Sequence, residues 1–93
     1  MVVASLTWEL SLPGCASLKE KRSVVRSLRD KLRAKFNVSV SETDFQDVHT
    51  RAQLSIALVA TDARFAEEVL EKADHLVGLN GRAIVTSVRR TVY

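Results

Sequence analysis

A chain of 93 residues, 46% hydrophobic and 27% charged, supports one folded core over residues 1–93 and excludes both a disordered chain and a second domain. Its 14 Lys and Arg against 11 Asp and Glu leave a net charge of +3. Its longest apolar stretch, Ile56-Ala57-Leu58-Val59-Ala60, is too short to span a bilayer. Met1-Val2-Val3 leads straight into a strand pattern with no basic start or cleavage site, which argues against a signal peptide. Cys15 is the single cysteine, so no internal disulfide is expected and a reducing, cytoplasmic location is.

From Val2 to Leu12 the pattern alternates at period two. Val2, Ala4, Leu6, Trp8, Leu10 and Leu12 share one face, and Val3, Ser5, Thr7, Glu9 and Ser11 the other, which predicts a strand covered on one side only. Pro13-Gly14 ends it. Ser17-Leu18-Lys19-Glu20 reads as a capping box opening a helix, with Leu18, Val25, Leu28, Leu32 and Phe36 as its apolar stripe and Asn37 as its stop.

Val38 and Val40, alternating with Asn37, Ser39 and Ser41, predict a short second strand. The polar connector 45–50 leads to a third strand, in which Ala52, Leu54, Ile56, Leu58 and Ala60 point inward. Asp62 is placed to cap a second helix with an inner stripe of Phe65, Val69, Leu70, Ala73, Leu76 and Val77. Gly78 is expected to end that helix, with Leu79 folding back on its last turn. The last strand is expected from about Arg82 to Val92, with Ile84, Val88 and Val92 inward. The order βαββαβ predicts an α+β, ferredoxin-like sandwich: a four-stranded antiparallel sheet, order 4-1-3-2, with two helices on one face.

This fold hosts many functions, so the residues must decide. Soft-metal or iron–sulfur binding requires clustered thiolates, and Cys15 stands alone. A sheet that stacks RNA bases requires exposed aromatics, whereas Trp8 points to the core and the open face offers Ser5, Thr7, Glu9, Ser55, Ala57 and Val59. Pro13-Gly14-Cys15-Ala16-Ser17 has too few glycines to cradle a phosphate. Cys15 precedes a helix N-terminus, which favours a thiolate, but no base accompanies it, and filling a tight loop is the better reading. Glu42, Asp44, Asp47 and His49 could ligate a divalent cation, yet ion pairs with Arg51 and the first helix account for them more simply. No catalytic residues, metal ligands or cofactor are therefore assigned.

The most organised feature is a cationic row. Lys19–Lys35 holds eight basic and two acidic residues, a net of +6, while the rest of the chain sums to −3. Lys19, Arg22, Arg26, Arg29 and Arg33 fall within an arc of about 80° on the helix. That row is suited to phosphates of a nucleic-acid backbone. The competing reading is inter-helix ion pairing with Glu67, Glu71 and Asp74 of the second helix. Arg89 and Arg90, on an edge strand, read as guards against edge-to-edge aggregation.

The run Leu18-Lys19-Glu20-Lys21-Arg22-Ser23-Val24-Val25, then Phe36-Asn37-Val38-Ser39-Val40, Asp44-Phe45-Gln46-Asp47 and Arg51-Ala52, resembles the YlxP-like family of small bacterial proteins. The resemblance extends over essentially the whole chain. It implies a ferredoxin-like fold, a bacterial cytoplasmic protein and, from the gene neighbourhoods of that family, a ribosome-associated role; it supplies no catalytic residues. The function expected is a non-enzymatic RNA- or ribosome-associated binding protein using Lys19, Arg22, Arg26, Arg29 and Arg33. The alternative is a homo-oligomeric module, here a homodimer, joined through the open sheet face around Val3, Ala57 and Val59 or through an edge strand. A small-molecule enzyme built on Glu42, Asp47 and Cys15 ranks third.

Overall fold

The computed structural model describes all 93 residues. The alternating N-terminal run forms β1 (Val2–Ser11), followed by α1 (Leu18–Lys35), β2 (Ser39–Asp44), β3 (Arg51–Ala60), α2 (Ala63–Gly78) and β4 (Ile84–Val92). The sheet order is β2-β3-β1-β4, all neighbours antiparallel, which is the expected 4-1-3-2 read from its other end. Val2 pairs with Ala60 and Ser11 with Arg51, so β1 and β3 stay in register along their full length. Paired residues share a face. Ala4, Leu6, Trp8 and Leu10 therefore join Leu58, Ile56, Leu54 and Ala52 under the helices, and all eight are buried.

Both helices begin where their caps place them. Ser17 Oγ accepts from the Glu20 amide, and the Glu20 carboxylate reaches back to the amide of Ala16. Asp62 Oδ1 accepts from the Phe65 amide. The helix ends depart from expectation. Phe36, not Asn37, caps α1, in extended backbone. Gly78 is the last residue of α2 and has no left-handed conformation, and Leu79 stays exposed at 71% instead of folding back. The amides of Leu79 and Asn80 close the last turn of α2 through bonds to His75, Leu76 and Val77 carbonyls.

Three core assignments change. The buried stripe of α2 is Ala66, Leu70, Ala73 and Val77, at i, i+4, i+7 and i+11. Phe65, Val69 and Leu76 lie on its flank; Phe65 is 53% exposed and the other two are half-buried. Small Ala66 and Ala73 occupy the buried stripe, and the larger flank residues stand at the rim.

In β4, the register with β1 shifts between Glu9 and Leu10, and Thr86 is the extra residue. Its hydroxyl donates to the Glu9 carbonyl. The bulge flips parity, so Ile84 lies opposite Ser11 on the open face, while Val85, Val88 and Val92 face the helices. Arg89 and Arg90 remain exposed on opposite faces of this edge strand, opposite Thr7 and Leu6.

The third change concerns Lys21, which is fully buried among the apolar residues of α1.

Candidate nucleic-acid interface on the first helix

The core side of α1 is set by Val24, Val25, Leu28 and Leu32 together with Lys21. At 100° per residue, Lys19, Ser23, Arg26 and Asp30 stand at the opposite, solvent-facing pole. They line an open groove with Arg22, Ser27 and Lys31. Lys19, Arg22 and Arg26 are exposed, and the serines between them keep the groove shallow and polar.

The predicted row does not behave as one set. Arg22 and Arg26, besides lining the outward groove, border a crevice with Arg29, Val25 and Glu42 of β2. Arg29 is half-buried there. Arg33, one turn further on, donates from Nη2 to the Val40 carbonyl of β2 across 3.1 Å. The arginine flank thus lies over the β2 border of the sheet. The cleft between the helices is lined instead by Lys35 and the cap residue Phe36, against Glu71, Leu76 and the cap residue Leu79.

This placement overturns the inter-helix ion-pair reading. The ion pairs of the chain are Lys21–Glu42, Arg51–Glu9 and Arg64–Glu68, and none joins the row to α2. Asp74 instead accepts the indole N–H of Trp8 at 2.8 Å.

Reasoning from sequence missed Lys21. Its ammonium lies 2.8 Å from Glu42 Oε2, and it donates to the Val48 carbonyl at 2.7 Å and to the carbonyl of Phe45. Glu42 reaches it because Glu42 pairs with Leu54 and so faces the helices. The lysine thereby ties α1 to the β2–β3 connector. That connector carries the one left-handed residue of the chain, Phe45 at φ 62°, a conformation costly for a bulky side chain. Asp44 Oδ1 accepts the Phe45 amide, and the Arg51 guanidinium lies 4.1 Å from the Phe45 ring centre. The signal was in the spacing: Leu18, Lys21, Val25, Leu28 and Leu32 run at i, i+3, i+7, i+10 and i+14, so position 21 is a core position.

The candidate acidic cluster is dispersed. Glu42 points inward to Lys21, Asp44 pairs with Gln53 on the other face and serves its own loop, and Asp47 and His49 are exposed. No three His, Cys, Asp or Glu side chains come together as a metal site. Cys15 is buried, its amide bonded to the Leu12 carbonyl, and it fills the loop as a small apolar residue. No helix is long and apolar enough to cross a membrane.

The family described as "Protein of unknown function (DUF503)" matches residues 3–90. "Uncharacterized protein YlxP" of Bacillus subtilis (strain 168) is 39% identical over 56 residues, 60% of this chain and 61% of that protein. The chain thus matches somewhat under two thirds of that relative's length, and the resemblance read from the sequence is borne out. Among solved structures, a de novo designed protein with ferredoxin fold superposes with a TM-score of 0.54 at 15% identity, covering 99% of this chain and 85% of its own. The designed protein Foldit4 gives 0.57 at 14% identity, covering 98% and 97%. SnoaB, a cofactor-independent oxygenase from Streptomyces nogalater, gives 0.55 at 11% identity, covering 99% and 90%. At these identities the likeness is one of fold, and the fold is ferredoxin-like.

Proposed function

We propose that this chain, which belongs to the DUF503 family, is a non-enzymatic RNA-binding protein that lays the outward face of α1 along a phosphate backbone, on the ribosome or another structured RNA. One observation carries the reading. The cations of the row have no carboxylate within 4 Å, because the flank they occupy points away from the acidic helix. An 18-residue helix spans about 27 Å, long enough for several consecutive phosphates. Such contacts give affinity and orientation with little sequence choice. The cytoplasm is the compartment this reading requires. Reversal of Lys19, Arg22 and Arg26 to glutamate, with RNA retention and melting temperature measured on the same protein, tests it.

A second reading rests on a separate feature. Val59 is 66% exposed on the open sheet face, beside exposed Ala57 and half-buried Val3, and Met1 and Phe65 extend this apolar corner around the sheet end. A second copy covering this corner would form a homodimer, and solution mass decides it.

A further inference from the structure

Arg22, Arg26 and Arg29, at i, i+4 and i+7, line one crevice of about 180 Å³ between α1 and β2. Like charges so gathered repel unless an anion lies among them. The carboxylate already at the crevice, Glu42, does not serve. Its Oε2 is drawn 2.8 Å from the Lys21 ammonium, and no arginine of the row comes within 4 Å of it. Two buried polar atoms at the crevice have no hydrogen-bond partner, the donor Arg29 Nε and the acceptor Glu42 Oε2. A buried donor without an acceptor is destabilising, and such a group calls for an explanation.

From these observations we infer that the crevice is a phosphate-binding subsite, holding one phosphate group among Arg22, Arg26 and Arg29. The inference rests on reading the outward face of α1 as the RNA contact, and it names the one position where a phosphate is gripped instead of merely attracted. A tetrahedral phosphate presents oxygens in several directions and can engage more than one arginine at once. A planar carboxylate offers two oxygens and satisfies one fork. The apolar wall supplied by Val25 strengthens each of these bonds relative to open water. Lys21 is the positioning residue, since by holding Glu42 it leaves the arginines free for an external anion.

The test follows the arginine Nε–H resonances of the full chain by NMR during titration with inorganic phosphate, an oligouridine with a 5′-hydroxyl, and the same oligouridine with a 5′-phosphate. The Arg29 Nε–H shifts downfield and exchanges more slowly when the site fills. Arg29→Lys, which keeps the charge and loses the fork, weakens oligouridine binding by about tenfold, the loss of one charge-assisted hydrogen bond. Lys31→Gln, outside the crevice, weakens it by less than about threefold. Melting temperatures confirm folding, and Arg22→Lys replaces Arg29→Lys should that variant unfold. A response to the 5′-hydroxyl oligomer identifies an internal phosphodiester as ligand; a response only to the 5′-phosphate form identifies a terminal phosphate. A response to inorganic phosphate alone keeps the subsite and overturns the RNA reading. Salt-sensitive RNA binding with Arg29 silent throughout, or with Arg29→Lys binding as well as the parent, overturns the subsite and leaves the RNA reading standing.

Discussion

Lys21 Nζ stands 2.8 Å from Glu42 Oε2, with the lysine wholly out of water and the carboxylate mostly so. The lysine also donates to the Phe45 and Val48 carbonyls, so one ammonium joins α1, β2 and the connector to β3. Lys21→Ala strands a carboxylate and two carbonyls, and is expected to cost about 3–5 kcal/mol in urea denaturation. Glu42→Gln, which keeps an acceptor, costs about 1–3 kcal/mol. Values near zero for both would contradict a structural role for the pair.

Leu58 and Phe65 are equivalent by sequence pattern, and the structure separates them. Leu58 is 6% exposed and Phe65 53%. Leu58→Ala should lower stability by about 2–5 kcal/mol and Phe65→Ala by less than about 1. Equal losses would show that the inner stripe of α2 runs through Phe65 after all.

The single tryptophan is fully buried, with its N–H held by Asp74. Asp74→Ala leaves that donor unpaired in the interior and costs about 1–3 kcal/mol, while Asp74→Asn retains an acceptor and costs less. Trp8 fluorescence reports both unfolding transitions. Identical midpoints for the two variants would argue against the hydrogen bond.

RNA binding through Lys19, Arg22 and Arg26 should weaken with salt at a log–log slope of about −2 to −3, from roughly 0.7–0.9 ions released per contact. Reversing the three charges should abolish retention while the protein stays folded, since all three are exposed. Retained binding in the reversed protein, or a flat salt response, would contradict the interface.

For the second reading, sedimentation at tens of micromolar should show twice the chain mass of 10.3 kDa, and Val59→Lys should return it to one. A parent protein that sediments as a monomer throughout removes that reading.

The sequence pattern made much of the fold legible because β1 and β3 alternate without interruption over ten residues each, and Ser17 and Asp62 mark the helix starts. Three features escaped it, each for a physical reason. A bulge changes parity without changing composition, so alternation alone puts Ile84 on the wrong face. The stripe that α2 buries, with alanines at two of its four positions, is narrower than hydrophobicity marks, and Phe65 falls outside it. Lysine is charged at its tip and aliphatic along its stem, so residue type hides the core spacing of position 21. The cationic row was legible as a row. Its division into outward groups, the Arg29 crevice and the Arg33 bond to Val40 depended on where β2 lies.

On the open face of the sheet, the Ser55 hydroxyl lies 2.9 Å from that of Thr7 and 2.8 Å from that of Thr43, which also donates to Gln53 Oε1. Four side chains from three strands thus exchange hydrogen bonds with one another. Groups so engaged have less to ask of water, and drying them forfeits fewer bonds than their number suggests. The middle of this sheet is polar by inventory but cheaply dehydrated, a surface that another body can cover without first offering it matching donors and acceptors.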